Sequence, residues 1–261
     1  MFELLVSTLF FLFGAAIGSF TLVVVTRLHV APIASSRSKC LSCGEALRVW
    51  DLVPIFSYLL LRGSCRYCKT PYGAVSLLVE CLFGVLFVLL YHFILSGFSI
   101  VPLTAWLVYY TVLFISLGVV ALYDYKHSYV PVVFLAAFLI LSFGMLVMHY
   151  LYSPTAAVLL GPLVVALPFL SVWVITKGRG LGLGDVLLYA GVGAFFGIEQ
   201  GLAVLLLSVW IGAVVGAYIY LKNFKQHTRS TTMPFVPYIV LAFFFVLFTD
   251  IDVFSIASIF S

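Results

Sequence analysis

The sequence predicts an all-α polytopic membrane protein with about eight transmembrane helices and one small polar loop. Hydrophobic residues make up 64% of the 261 positions, charged residues make up 8%, and the mean hydropathy is +1.25. Such a chain lacks the polar surface of a soluble globule, and its apolar stretches recur near the ~20 residues that span a bilayer. Residues 28–72 form the only sizeable polar insert.

Eight apolar stretches are predicted to cross the membrane in succession. The first is expected to be a retained helix, because Met1 to Ser7 lacks the basic residue of a cleavable signal and Arg27 follows the apolar run. The sixth is short and rich in glycine, which favours close packing inside a bundle. The predicted spans are residues 3–26, 74–95, 101–123, 130–151, 157–176, 184–198, 201–221 and 234–255.

The charge distribution predicts the orientation of these spans. Eight spans place all 13 lysines and arginines on one face, which the positive-inside rule makes cytoplasmic. Both termini are then outside the cytoplasm. The chain divides into a first helix (1–27), a cytoplasmic loop (28–72) and a bundle (73–261). The net charge of +4 is explained by this orientation and by contact with anionic lipid, so no nucleic-acid partner is predicted. The charged residues expected on the opposite face are Glu3, Glu199, Asp250 and Asp252.

Four of the five cysteines form two CxxC pairs in the polar loop, Cys40 with Cys43 and Cys65 with Cys68. On the reducing side of a membrane, paired CxxC elements favour a metal over disulfides. Each pair can place two thiolates on one tight turn, and two turns complete a tetrahedral four-sulfur site of the kind that structural zinc occupies. A zinc-ribbon-like loop is therefore predicted, with redox chemistry, another metal or no metal as the alternatives.

Asp124 and Asp185 are the candidates for catalysis. Each lies where an apolar helix meets polar sequence, and both are predicted on the cytoplasmic side. Two carboxylates can share a proton and activate water. Gly182 and Gly184 allow close backbone approach next to Asp185, and Pro131 follows Asp124 after six residues. Taken singly, either acid could instead cap a helix or mark the membrane border.

Several motifs together resemble the type IV prepilin peptidases, which are GxGD membrane aspartic proteases. Gly182 to Asp185 is similar to the GxGD signature, and Asp124 with Pro131 resembles the pattern around the first catalytic acid of that family. Gly18 to Phe20 resembles the motif of the first span, and the two CxxC pairs frame a segment similar to the family's loop. The resemblance covers about residues 14–200.

The resemblance implies an enzyme that removes short basic leader peptides from prepilins or pseudopilins at the cytoplasmic face of the bacterial inner membrane. One of Asp124 and Asp185 would deprotonate water while the other polarises the scissile carbonyl, so residues 73–261 would be the catalytic bundle. Family members usually then methylate the new amino terminus with S-adenosylmethionine. Methyl transfer by this chain is left open, because residues 75–77 are Val, Ser and Leu where the family has Arg, Tyr and Pro.

Two alternatives stay open beside the peptidase. In a noncatalytic membrane scaffold or transporter, Asp124 and Asp185 would bind a cation or a proton. Their position at helix ends and the lack of a clear internal repeat favour the peptidase. The other alternative is a GxGD-type protease with different membrane substrates. The cysteine loop and the first-span motif favour prepilins as the substrate class instead.

Overall fold

The computed structural model describes residues 1–28, 30, 32, 37–40, 42–96, 102–179, 181–223 and 233–258. Within these residues the chain is all-α with no strand, as predicted, and six helices are long and apolar enough to cross a membrane. The helices are α1 (Phe2–Arg27), the 3-10 helix η1 (Val49–Leu52), α2 (Phe56–Leu60), α3 (Val75–Ser96), α4 (Leu103–His127), α5 (Val132–Tyr152), α6 (Ala156–Thr176), α7 (Leu183–Asn223), α8 (Val236–Thr249) and α9 (Val253–Ser258).

The chain forms two compact units, Met1–Val108 and Tyr109–Ser261. In the first unit, α1 packs along α3, and aromatic side chains fill the contact. The ring of Phe13 meets that of Phe87 edge-on at a centroid distance of 5.4 Å. This is a favourable geometry for two aromatic quadrupoles. The polar loop, with η1, α2 and the cysteine turns, joins these two helices.

In the second unit, α7 is a hairpin of two helices. Gly197 interrupts it with φ 78° and ψ −162°, a conformation that is essentially restricted to glycine. The hydroxyl groups of Tyr189 and Ser208 lie on either side of this break and hydrogen-bond at 2.7 Å. Nineteen residues of straight helix would separate the two positions by about 28 Å. The predicted spans 184–198 and 201–221 are therefore antiparallel partners.

Helix α6 meets α7 at a close backbone contact. A Cβ on Gly161 would lie 2.5 Å from the carbonyl oxygen of Gly193, and a Cβ on Gly193 would collide with the carbonyl group of Gly161. Small residues of this kind allow membrane helices to approach closely. The hairpin is thus fixed to α6 at a point near its own reversal.

Substitution of Gly193 by alanine is expected to destabilise the second unit by roughly 1–3 kcal/mol, because the added methyl group forces the two backbones apart. The midpoint of denaturant-induced unfolding in detergent measures the effect. Gly144→Ala is the matched control, since a Cβ at Gly144 meets nothing within 4 Å. The control should leave stability unchanged or raise it by up to about 1 kcal/mol. Equal midpoints for the two variants would contradict this account of the contact.

The predicted last span, residues 234–255, is wrong in length. Helix α8 ends at Thr249 because Asp250 adopts a left-handed backbone conformation with φ 52°. Oδ1 of Asp252 then accepts the backbone N–H of Ser255 at 2.6 Å and caps the start of α9. Hydropathy alone did not detect this break, because apolar residues continue on both sides of it.

Candidate functional site

The four predicted cysteine ligands lie together in the first unit. The sulfur atoms of Cys40, Cys43, Cys65 and Cys68 are all within 4.8 Å of one another, and those of Cys40 and Cys68 are 3.8 Å apart. A tetrahedral site with Zn–S bonds of about 2.3 Å places its sulfurs about 3.8 Å from one another. The cluster therefore has the ligand type and spacing of a four-sulfur metal site.

Two equivalent turns bring these sulfurs together. The backbone N–H of Cys40 donates to the carbonyl group five residues later, and the N–H of Cys65 does the same, each at 2.9 Å. The residue that follows each pair, Gly44 or Lys69, has a positive φ of 73° or 58°. Each CxxC pair thus folds as the same tight turn, with its two sulfurs on one side.

Hydrogen-bond donors around the second cysteine turn favour the thiolate form of Cys65 and Cys68. Backbone N–H groups of Cys68 and Tyr67 donate to the sulfur of Cys65 and lower the pKa of Cys65 to about 6. The hydroxyl group of Thr70, 3.2 Å from the sulfur of Cys68, lowers the pKa of Cys68. A thiolate is the form of cysteine that binds a metal ion.

An ion pair with a buried carboxylate ties η1 to the second cysteine turn. Arg66 donates to Oδ1 of Asp51 from Nη2 at 2.6 Å and from Nε at 2.9 Å, and the side chain of Asp51 is only 1% exposed. The backbone N–H of Arg48 donates to Oδ2 at 3.2 Å. The Arg66 hydrogen bond and, after it, the Arg48 amide hold the pKa of Asp51 below its ordinary value. The carboxylate thus stays ionised and anchors the loop.

Substitution of Arg66 by glutamine is expected to loosen the loop, because the buried Asp51 carboxylate loses its cation. Leaving such a group poorly paired costs about 1–3 kcal/mol. The rate at which a protease cuts the loop of the detergent-solubilised protein measures the change, and this rate should rise. Arg37→Gln removes an exposed arginine from the same loop and should leave the rate unchanged. Equal rates in both variants would argue against the anchoring role.

Asp124 lies in the last turn of α4 and is buried, with 7% of the residue exposed. Its Oδ2 accepts the backbone N–H of Val236 at 3.2 Å, and the N–H of Phe235 also donates to the carboxylate. These amides stand at the amino-terminal end of α8, where the helix dipole favours negative charge. The Asp124 carboxylate therefore has two backbone hydrogen-bond donors at a helix start.

Asp185 lies in the first turn of α7 and is half-buried. Its N–H donates to the carbonyl group of Gly182 at 3.2 Å, and the backbone N–H of Gly182 donates to the Asp185 carboxylate. The carboxylate of Asp124 is close enough to interact electrostatically with that of Asp185. The second unit thus brings the two predicted acids to one place.

The predicted supporting residues Gly184 and Pro131 explain how Asp124 and Asp185 come close together. A Cβ on Gly184 would lie 3.1 Å from the Cβ of Val130, so the start of α7 packs against the turn that follows α4. Pro131 is the N-cap residue of α5, and its carbonyl group accepts the N–H of Leu135 at 3.1 Å. The turn is therefore fixed between the end of α4 and the start of α5.

The contribution of α8 to the site was not predicted from the sequence. The backbone N–H of Val236 in α8 bonds to Asp124, which lies 112 positions earlier in the chain. Backbone donors cannot be recognised from the residue types in a sequence. The available signal was Pro237, which stands in the first turn of α8 and is typical of a helix start. Pro237 locates the amino-terminal end of α8, but it does not indicate which residues that end contacts.

The chain is a polytopic membrane protein of apolar helices, with two acids at helix ends in the second unit and a four-cysteine cluster in the first. Two family models match the chain: the Bacterial Peptidase A24 N-terminal domain over residues 12–94 and the Type IV leader peptidase family over residues 111–217. The chain belongs to the type IV leader peptidase family, and it is a multi-pass membrane peptidase.

Curated relatives agree with this assignment. A prepilin leader peptidase/N-methyltransferase of Bacillus subtilis is 33% identical over 88% of this chain and 89% of the relative. The protein of that name from Xanthomonas campestris is 32% identical over 80% of this chain and 71% of the relative. The one from Pseudomonas putida is 29% identical over 90% and 88%. No solved structure matches the chain.

Proposed function

We propose that this chain is a membrane aspartic endopeptidase that removes basic leader peptides from type IV prepilins or pseudopilins at the cytoplasmic face of the inner membrane. The observation that carries the proposal is the pairing of Asp124 with Asp185 in a member of this peptidase family. The relatives are named for prepilin leader cleavage, which supports this substrate class.

In the proposed mechanism, Asp124 is the base and Asp185 is the acid. Two backbone N–H groups donate to Asp124 from the start of α8, and such donors favour the ionised form. Asp124 takes a proton from water while the oxygen of that water attacks the scissile carbonyl carbon. The protonated Asp185 donates a hydrogen bond to the carbonyl oxygen, which carries the developing negative charge.

Collapse of the tetrahedral intermediate then breaks the carbon–nitrogen bond. The departing amine takes the proton that Asp124 acquired, and the leader keeps the new carboxyl group. Asp185 keeps its proton throughout, so the pair again holds one proton, which two close carboxylates share. The chemistry therefore needs both acids but neither a covalent intermediate nor a metal ion.

The proposed orientation keeps the acids and the cysteine loop in the cytoplasm and both termini outside it. All 13 basic residues then lie on the cytoplasmic side, although Lys225 and Arg229 are outside the described residues. The leader stays near this surface while the apolar helix of the substrate packs laterally against the bundle. Membrane lipid and the substrate are thus the expected partners.

Structural zinc is the metal proposed for the cysteine cluster, and Cys40, Cys43, Cys65 and Cys68 would be its ligands. Their sulfur spacing fits a tetrahedral ion, and no step of cleavage uses it.

Methylation of the new amino terminus, with S-adenosylmethionine as the methyl donor, is a proposed second activity. The names of the relatives support that activity.

Incubation of the membrane-reconstituted protein with a prepilin-type substrate tests the function, with intact-mass measurement of the products. Loss of the leader mass is expected, and one added methyl group in the presence of S-adenosylmethionine would establish the second activity separately. No cleavage of several such substrates by a folded protein would overturn the peptidase proposal. It would favour the alternative in which Asp124 and Asp185 bind a cation or a proton in a scaffold or transporter.

A further inference from the structure

An exposed apolar face lies in the cytoplasmic loop between the two cysteine turns. Trp50 is 77% exposed and Leu60 is 78% exposed. Three of the residues are on one side of α2, at positions i, i+3 and i+4 of the helix, and α2 contacts η1. We call this set the loop apolar face. It consists of Val49, Trp50, Leu52, Phe56, Leu59 and Leu60.

Six large apolar side chains exposed within a dozen residues require a covering partner. Isolated exposed apolar residues are ordinary on a protein surface, whereas a cluster of them marks a site of contact with protein or membrane. Metal-site turns stand on both sides of this segment, and the ion pair between the buried Asp51 and Arg66 fixes η1. The apolar side chains are therefore presented by an ordered segment, since its own ion pair and turns hold it in place.

A buried carboxylate ties this segment to α3. Oε2 of Glu80 accepts the backbone N–H of Ile55 at 2.7 Å, and Glu80 is 7% exposed. Ile55 has φ 65°, and the N–H of Phe56 donates to the carbonyl group of Pro54 at 2.6 Å. This is a strained γ-turn, which the Glu80 hydrogen bond helps to hold.

Glu80 lies in the second turn of α3, about 8 Å along the helix axis from Val75. Helix α3 is one of the six helices with the length and composition of a membrane span. A backbone group bonded to Glu80 therefore lies at the level where this span enters the bilayer. The segment that carries the loop apolar face is therefore held beside the first turns of this span.

The charges around the face are complementary to anionic lipid. Arg48 and Arg62 stand at the two ends of the segment and are exposed, and Arg48 also donates from Nε to the hydroxyl of Tyr67 at 3.2 Å. The acid between the two arginines is Asp51, and Arg66 already neutralises it. Long basic side chains that flank an apolar face reach the phosphate layer while their stems remain in the apolar region.

We propose that residues 48–62 are an interfacial membrane anchor. The loop apolar face inserts at the boundary between headgroups and acyl chains, and Arg48 and Arg62 bind anionic phosphates. Trp50 suits this depth, because its indole ring combines an apolar body with a polar N–H group. The anchor holds the cysteine loop flat against the bilayer. The proposal does not depend on the peptidase activity, since it rests only on the loop and on the span of α3.

Fluorescence quenching by brominated lipids tests the anchor in the full-length protein reconstituted in vesicles that contain anionic phospholipid. The Trp50 signal is the difference between the wild type and Trp50→Phe. We expect lipids brominated near the carbonyl end of the acyl chain to quench it strongly, and lipids brominated near the chain terminus to quench it weakly. Trp210→Phe is the control, because Trp210 is 43% exposed within the α7 hairpin and should respond to the deeper bromines.

Charge variants provide a second readout. Arg48→Gln and Arg62→Gln should each lower the ratio of inserted to water-exposed Trp50 about fivefold in anionic vesicles, and they should have little effect in zwitterionic ones. A Trp50 signal that no brominated lipid quenches would overturn the proposal. So would a signal that becomes shielded only when a prepilin-type substrate is added, because the face would then bind protein and not lipid.

Discussion

Asp124→Asn and Asp185→Asn are each expected to reduce leader cleavage by about 10²–10⁴-fold, because each removes a proton-transfer group from the reaction. Asparagine at position 124 retains a side-chain oxygen that can accept the N–H of Val236, which now bonds to the carboxylate at 3.2 Å. The fold should therefore survive. The loss should appear in kcat, with a smaller change in KM, since the acids act mainly in the transition state.

Asp250→Asn is the matched control for these two variants. Asp250 follows α8 in the left-handed conformation, which asparagine also tolerates, and the proposed orientation puts it on the opposite side of the membrane. The Asp250→Asn protein should cleave the leader at the wild-type rate. If a folded Asp124→Asn or Asp185→Asn protein cleaved as fast as this control, the proposed catalytic roles would be wrong.

Loss of the metal from the cysteine cluster is the second change for which we expect a large effect. Structural zinc sites in small domains have apparent binding free energies of about 10–16 kcal/mol, and the loop has little apolar core of its own. Cys65→Ser should therefore release the loop from its folded state while the helices of the second unit remain intact.

Metal analysis and limited proteolysis together measure this effect. The wild type should carry one zinc equivalent, and Cys65→Ser or treatment with a strong chelator should remove it and expose the loop to protease. Cys81→Ser is the control, because Cys81 lies in α3 outside the cluster. A protein purified under reducing conditions that carries no metal and still has a protease-resistant loop would disprove the zinc assignment.

The sequence predicted most of the helical architecture because hydropathy reports directly on the solvent of a membrane segment. It also separated the two halves of the α7 hairpin, because the polar residues Glu199 and Gln200 interrupt the apolar sequence next to the reversal at Gly197. It did not predict the end of α8. Asp250 interrupts that helix through its backbone conformation, which a hydropathy average over many residues does not resolve.

The candidate site was likewise predicted only in part. Asp124, Asp185 and the four cysteines were found from residue type and spacing, and the structure brings each set together. The amides of α8 that bond to Asp124 were not found, because they are backbone groups far away in the chain. The Glu80–Ile55 bond was missed for the same reason. Both are contacts between a side chain and a backbone group, for which the sequence carries little signal.

A double-mutant cycle tests most directly whether Asp124 and Asp185 work as one catalytic pair. The single-turnover rate of leader removal is measured for the reconstituted wild type, for each asparagine variant and for the doubly substituted protein. Residues that act as a unit are strongly non-additive, so the double variant should be about as slow as the slower single variant. Independent effects, in which the two losses multiply in the double variant, would contradict a shared role in one proton-transfer step.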